Sequence, residues 1–118
     1  MSKIQRLKVE QVAGVTVVHF LDKRILDEPT IQAIAEQLFS LVDDSGKREL
    51  LLNFSNVEYL SSAALGKLIN LHKKLTGLQG RLAMCHVIPQ IYEVFTITKL
   101  DRIFKIFPDE DAAMASFG

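Results

Sequence analysis

Apolar positions recur along this chain with two different periods, and the changes of period divide it into elements. Leu7 to Val12 and Val15 to Leu21 alternate in twos, as strands do, and the Ala13-Gly14 pair between them reads as a hairpin turn in which Gly14 accepts a positive φ. Val15, Val17 and His19 point to one side and Thr16, Val18 and Phe20 to the other, so one side is slightly more polar. A charged connector, Asp22-Lys23-Arg24, leads to Ile25-Leu26-Asp27-Glu28-Pro29, where acidic residues and a first-turn proline announce a helix. Ile31, Ile34, Ala35, Leu38 and Val42 give that helix a buried stripe, which stops at Asp44-Ser45-Gly46.

Glu49-Leu50-Leu51-Leu52-Asn53-Phe54 is nearly continuous in apolar character, the pattern of a central strand buried on both faces. Next comes a helix beginning near Ser62, with Leu65, Leu68, Ile69, His72 and Leu75 on one side and Lys67, Asn70, Lys73 and Lys74 on the other, closing at Gly77 to Gly80. Arg81 to Cys85 is a further strand, and Pro89 opens a short helix that buries Ile91, Val94 and Phe95. Ile103 to Phe107 is a last strand, and a terminal helix runs from Asp109 to about Ser116. Strands alternating with helices predict an α/β fold with a mixed, mostly parallel sheet of about five strands that starts with a hairpin. No repeat, linker or low-complexity tract interrupts residues 1–118, which are expected to form one domain.

Composition narrows the class. At 118 residues, 48% hydrophobic and 24% charged, the chain suits a small globular module. Fourteen basic and fourteen acidic residues cancel, leaving no global field to hold a polyanion, so no direct nucleic-acid partner is expected. The sole cysteine, Cys85, cannot form an internal disulfide and reads as a small core residue. Met1 to Glu10 has no apolar signal core, and no apolar run approaches the ~20 residues of a membrane helix, so no membrane span and a cytoplasmic location are expected. No phosphate-binding loop, nucleophile elbow, His-Glu-x-x-His or Cys-x-x-Cys motif is present, and His19, His72 and His86 lack the spacing of a metal site. The chain is therefore read as a non-enzyme without metal or cofactor.

The candidate chemistry lies at Ser61-Ser62, between the central strand and the helix after it. A serine there can cap the helix with its side-chain oxygen. Alternatively, at the carboxyl end of a parallel strand, where α/β sheets bind ligands and partners, it can be exposed for use.

The segment Asn56-Val57-Glu58-Tyr59-Leu60-Ser61-Ser62-Ala63-Ala64-Leu65-Gly66 resembles the signature of the STAS domain, the module shared by sulphate transporters and anti-sigma-factor antagonists. In that signature an apolar strand leads through a short loop to Asp-Ser-Ser/Thr-Gly-Leu-Gly and an apolar helix. Laid on this chain, the phosphoacceptor falls on Ser62 and the closing Leu-Gly on Leu65-Gly66, while Ser61, Ala63 and Ala64 replace the Asp, the second Ser/Thr and the first Gly. The order of elements extends the likeness over nearly the whole chain, and it implies helices gathered mainly on one face of the sheet.

The resemblance also implies a circuit. An antagonist of this family binds an anti-sigma-factor serine/threonine kinase when unmodified, is released by phosphorylation, here at Ser62 with Ser61 as the alternative acceptor, and is reset by a PP2C-type phosphatase. The kinase supplies ATP and magnesium. Leu60, Ser61, Ala63, Ala64, Leu65 and Gly66 would form the contact surface, with Asp22, Asp27, Asn56 and Glu58 at its rim. Two other uses of the same surface are a phosphorylation-independent STAS scaffold and an anionic-ligand or lipid module using Lys67, Lys73 and Lys74.

Overall fold

The computed structural model describes residues 5–118. Strands β1 (Leu7–Val12) and β2 (Val15–Phe20) form the expected hairpin, Val12 facing Val15 across Ala13-Gly14, whose φ angles of 49° and 82° suit a two-residue turn. After β3 (Arg24–Ile25) come α1 (Glu28–Asp43), β4 (Glu49–Asn53), β5 (Tyr59–Leu60), α2 (Ser62–Gly77) and β6 (Arg81–Cys85). The chain ends with α3 (Pro89–Ile97), a 3-10 turn at Leu100–Arg102, β7 (Lys105–Phe107) and α4 (Glu110–Ala115). The main sheet has the order β1-β2-β4-β6-β7, antiparallel at β1–β2 and parallel elsewhere.

Leu50, Leu51 and Leu52 of β4 are fully buried because β4 is covered on both faces. Leu50, Leu52 and Phe54 join Val18, Phe20 and Met84 beneath α1, α2 and α3. Leu51 faces the other way, with Val15, Val17, Ala83 and Cys85, against Ala113 of α4. Three of the four described α-helices therefore share one face, and a single short helix covers the other.

Several boundaries differ from those expected. The last strand begins at Lys105 rather than Ile103, because the 3-10 turn buries Leu100 and Phe104 and leaves Ile103 exposed. Val94 is exposed, since α3 needs only Ile91 and Phe95, one turn apart, to face the core. The buried stripe of α2 is Ala64, Leu65, Leu68, Leu71 and Leu75, with Ile69 and His72 at its margin.

Where α2 returns to the sheet, the chain passes close against Arg48. Gly80 donates its N–H to the Leu75 carbonyl at 2.6 Å, and a Cβ on Gly80 would lie 2.5 Å from the Arg48 carbonyl oxygen. A Cβ on Gly66, inside α2, would meet nothing within 4 Å. Gly80→Ala is expected to lose ~2 kcal/mol of stability through backbone displacement, whereas Gly66→Ala gains up to ~1 kcal/mol of helix propensity. Urea unfolding of the two variants beside the parent measures both; a neutral Gly80→Ala would mean that this turn opens freely.

Candidate functional site

A second, two-stranded ladder, absent from the sequence reading, builds the site. β3 and β5 pair in parallel, Arg24 with Tyr59 and Ile25 with Leu60. The Lys23 carbonyl accepts from Glu58 N at 2.8 Å and Tyr59 N at 3.1 Å, and the Ile25 carbonyl accepts from Ser61 N at 3.1 Å. Each strand runs almost directly into a helix, so α1 and α2 start side by side. The N-caps of the two helices, Asp27 and Ser61, follow the ladder within two residues of Ile25 and Leu60.

The two serines have different roles. Ser61 has extended backbone angles, φ −83° and ψ 163°, and its Oγ accepts from Ala64 N at 3.2 Å, so Ser61 is the N-cap of α2. Ser62 is the first helical residue; it is exposed, and its hydroxyl has no partner among the described residues. Asp27 caps α1 in the same manner, Oδ2 accepting from the Thr30 hydroxyl at 3.0 Å and the Thr30 N–H at 3.1 Å. Those bonds, the hydroxyl's first, hold the Asp27 carboxyl below the usual carboxylate range.

The remaining expected surface residues divide by exposure. Ala64 and Leu65 are each only 5% exposed and pack in the core, so they shape the surface mainly from beneath. Their positions follow from helix geometry: with Ser61 as cap, the third and fourth helical residues turn toward the sheet. Ala63 is exposed, and Leu60 and Gly66 are half-buried. Asn56 is a strut, its amide donating to the carbonyls of Phe20 at 3.3 Å and Leu21 at 2.9 Å. Asp22 pairs with Arg6 at 3.0 Å, and Glu58, more exposed, lies 3.9 Å from Lys23.

Exposed apolar side chains that the sequence reading did not place here lie on the segments leading into α1 and α2 and on α3. Tyr59 is 50% exposed with the Arg24 guanidinium 4.8 Å above its ring, and Leu26 is 41% exposed. Toward α3, Val94 joins Leu60 and Leu65 around a shallow groove, and Ile97 further along is 71% exposed. Exposed apolar groups, together with a free hydroxyl at the start of α2, are features of a protein-docking surface. Periodicity signals buried faces, so it gives no sign of them.

Comparison with known proteins now fits this geometry. The profile of the STAS domain family matches residues 6–113. The chain belongs to the STAS domain family. BtrV of Bordetella bronchiseptica, provisionally named an anti-sigma factor antagonist, is 27% identical over 112 residues, covering 95% of this chain and 94% of that one. An anti-sigma-factor antagonist STAS domain protein from Planctomyces limnophilus superposes with a TM-score of 0.85 at 24% identity, over 98% of this chain and all (100%) of that one. The phosphorylated form of the Bacillus cell fate determinant SpoIIAA superposes with a TM-score of 0.71 at 17% identity, over 95% and 99%.

The other titratable candidates of this STAS domain are structural in position. His72 packs edge-on to Phe104 at 5.7 Å between ring centres, and desolvation lowers its pKa. His19 lies 3.5 Å from Glu10 in the hairpin. Cys85 is buried in β6, and desolvation, followed by the Glu110 and Asp109 carboxylates, pushes its thiol up to about 12. No helix among the described residues is long and apolar enough to cross a membrane.

Two outcomes follow for this STAS domain. Ser61→Ala should cost ~1 kcal/mol through loss of the cap, while Ser61→Asp, which can accept the same bond, and Ser62→Ala should stay within ~0.5 kcal/mol of the parent. Thermal and denaturant unfolding test the set, and an equal loss for Ser62→Ala would erase the distinction between the serines. Because folding raises the Cys85 pKa above its ordinary 9.0, the associated stability is complete below that value and is lost as the pH rises through about 12. At pH 8 a thiol reagent should accordingly label Cys85 only as fast as the domain opens, and labelling at the rate of a free thiol would contradict its burial.

Proposed function

We propose that this STAS domain is an anti-sigma-factor antagonist that acts in the cytoplasm by partner switching at Ser62. Unmodified, it holds an anti-sigma-factor serine/threonine kinase; phosphorylated, it releases it; a PP2C-type phosphatase restores the first state. The domain contributes no catalytic group. Ser62 Oγ attacks the γ-phosphorus of ATP in the kinase, its proton passes to a base of the kinase, and ADP leaves.

The observation that carries this reading is the division of labour between the serines. Ser61 alone caps α2, so Ser62 can accept a phosphoryl group without surrendering a hydrogen bond that the fold needs. The group would sit at a helix start, where anions are favoured, and the fold should survive it. It would add a charge of about −1.5 to −2 at the start of α2, in a domain whose exposed Tyr59, Leu26 and Val94 suit an apolar partner surface. Relatives named as antagonists, and a structural neighbour described in a phosphorylated form, support the same reading.

The anionic-ligand alternative is weaker on this structure. Lys74 is held by Asp43 at 2.7 Å and lies over the Phe39 ring at 5.7 Å, and Lys67 lines the α1–α2 groove, so the three lysines do not form one free face.

Ser62→Ala should abolish labelling by the cognate kinase and bind it about as well as the parent. Ser62→Glu should keep the parent's far-UV circular dichroism yet bind at least about tenfold more weakly, and authentic phosphoprotein about a hundredfold more weakly. Titration calorimetry with the kinase measures the difference, and peptide mass mapping locates the phosphate. Equal affinity of phosphorylated and unmodified forms would exclude the switch and leave a phosphorylation-independent scaffold; phosphate at Ser61 would move the acceptor.

A further inference from the structure

β1 is an edge of the main sheet and has no second neighbouring strand among the described residues. It is a long, regular edge: six residues pair one-to-one with β2, without bulge or proline. The opposite edge, β7, has three residues and is followed directly by Pro108. Long regular edges are templates for strand addition.

The hairpin fixes which backbone groups of that edge are free. Val12 and Val15 flank a two-residue turn, so the exchanged hydrogen bonds to β2 belong to Val12, Glu10 and Lys8; the bond from Leu21 N to the Arg6 carbonyl, 3.0 Å, continues the same parity. The N–H and C=O groups of Leu7, Val9 and Gln11 therefore point away from the sheet. An antiparallel strand of identical sequence must set its own Leu7, Val9 and Gln11 against these, which leaves few registers. Centred on Leu7, Lys8 meets Arg6; centred on Lys8 or Glu10, that charge meets itself; centred on Gln11, Glu10 meets Val12. Centred on Val9, Lys8 faces Glu10 twice, Leu7 faces Gln11 twice, and Val9 faces its copy.

We propose that β1 is a self-association edge, joining antiparallel to β1 of a second copy about a twofold axis at Val9. The occupant is a second copy because, among the registers that satisfy the free backbone groups, one also matches opposite charges. About six backbone hydrogen bonds form, and the Lys8–Glu10 pairs occupy the closer, non-hydrogen-bonded positions where cross-strand side chains interact best. Lys8 and Glu10 already meet within the strand at 3.6 Å, so association exchanges partners without burying a lone charge. Val9, 37% exposed, lies in a groove beside Leu41 of α1, and the axis brings the two valines together there. The contact is small, so the dimer is transient and concentration-dependent. Because the axis reverses strand direction between copies, the two Ser62 surfaces lie at opposite ends of the joined sheet and both stay open.

Sedimentation velocity of the full chain from about 10 μM to about 1 mM tests this. The parent's mass should rise toward that of a dimer. Lys8→Glu and Glu10→Lys should each weaken association at least about tenfold, because like charges then face each other. The double exchange Lys8→Glu with Glu10→Lys should restore it, and an equimolar mixture of the two single variants should form a heterodimer. Val9→Pro, which removes an outward N–H that β2 does not use, should be folded and monomeric. A parent that stays monomeric throughout, single variants that associate as the parent does, or a double exchange that fails to restore association would each overturn the proposal.

Discussion

The strand β4 is buried on both faces, and the remaining elements are arranged to meet that requirement. Leu50 and Leu52 need cover on one side and Leu51 on the other, and each leucine side chain fully removed from water contributes ~1.5 to 3 kcal/mol. β2 and β6 satisfy the backbone of β4 on either flank, and both run parallel to it. Parallel neighbours need long crossovers, and helices supply them. Right-handed crossovers then bring α1, α2 and α3 onto one face, leaving the other to α4. Asn53, at the end of β4, binds α4 through Glu110 at 3.1 Å, so the strand also anchors the helix that covers its second face.

The surface around Ser62 is a consequence of that arrangement combined with the short β3–β5 ladder. Without the ladder, the connectors after β2 and β4 would lack their backbone hydrogen bonds to each other, and the starts of α1 and α2 would be held by helix packing alone. The bonds from Glu58, Tyr59 and Ser61 to the Lys23 and Ile25 carbonyls tie the two connectors together. Capping then separates structure from function within a dipeptide. Ser61 and Asp27 satisfy the open ends of their helices, and Ser62, one residue further on, is spared that duty. A residue that contributes little to stability can be modified with little damage to the fold.

Legibility in the sequence followed the length of each element. The hairpin, β4, α1 and α2 were readable because each repeats its pattern over enough residues to reveal its period. β3 and β5, two residues each, have no period at all and exist because neighbouring chain segments lie within hydrogen-bonding reach. Ile103 was read as the start of the last strand, and Val94 was assigned inward because it is apolar. The core had already been filled there by Leu100 and Phe104 in one case and by Ile91 and Phe95 in the other. Ala64 and Leu65 lie mostly beneath the surface expected of them, because a motif read as a line of letters places consecutive residues on one surface, whereas a helix rotates them by about 100° each.

What the sequence by itself determined was the set of buried faces, hence the α/β class, the hairpin start and the position of the serine pair at a strand-to-helix junction. These are local properties, written in hydrophobic period and in the residues that stop it. Which serine is tied and which is free, which apolar residues remain exposed beside it, and which backbone groups of β1 are unpaired were decided only by the tertiary structure. Each depends on the direction in which a side chain or an N–H points once distant segments have paired, and that direction has no representation in a linear pattern.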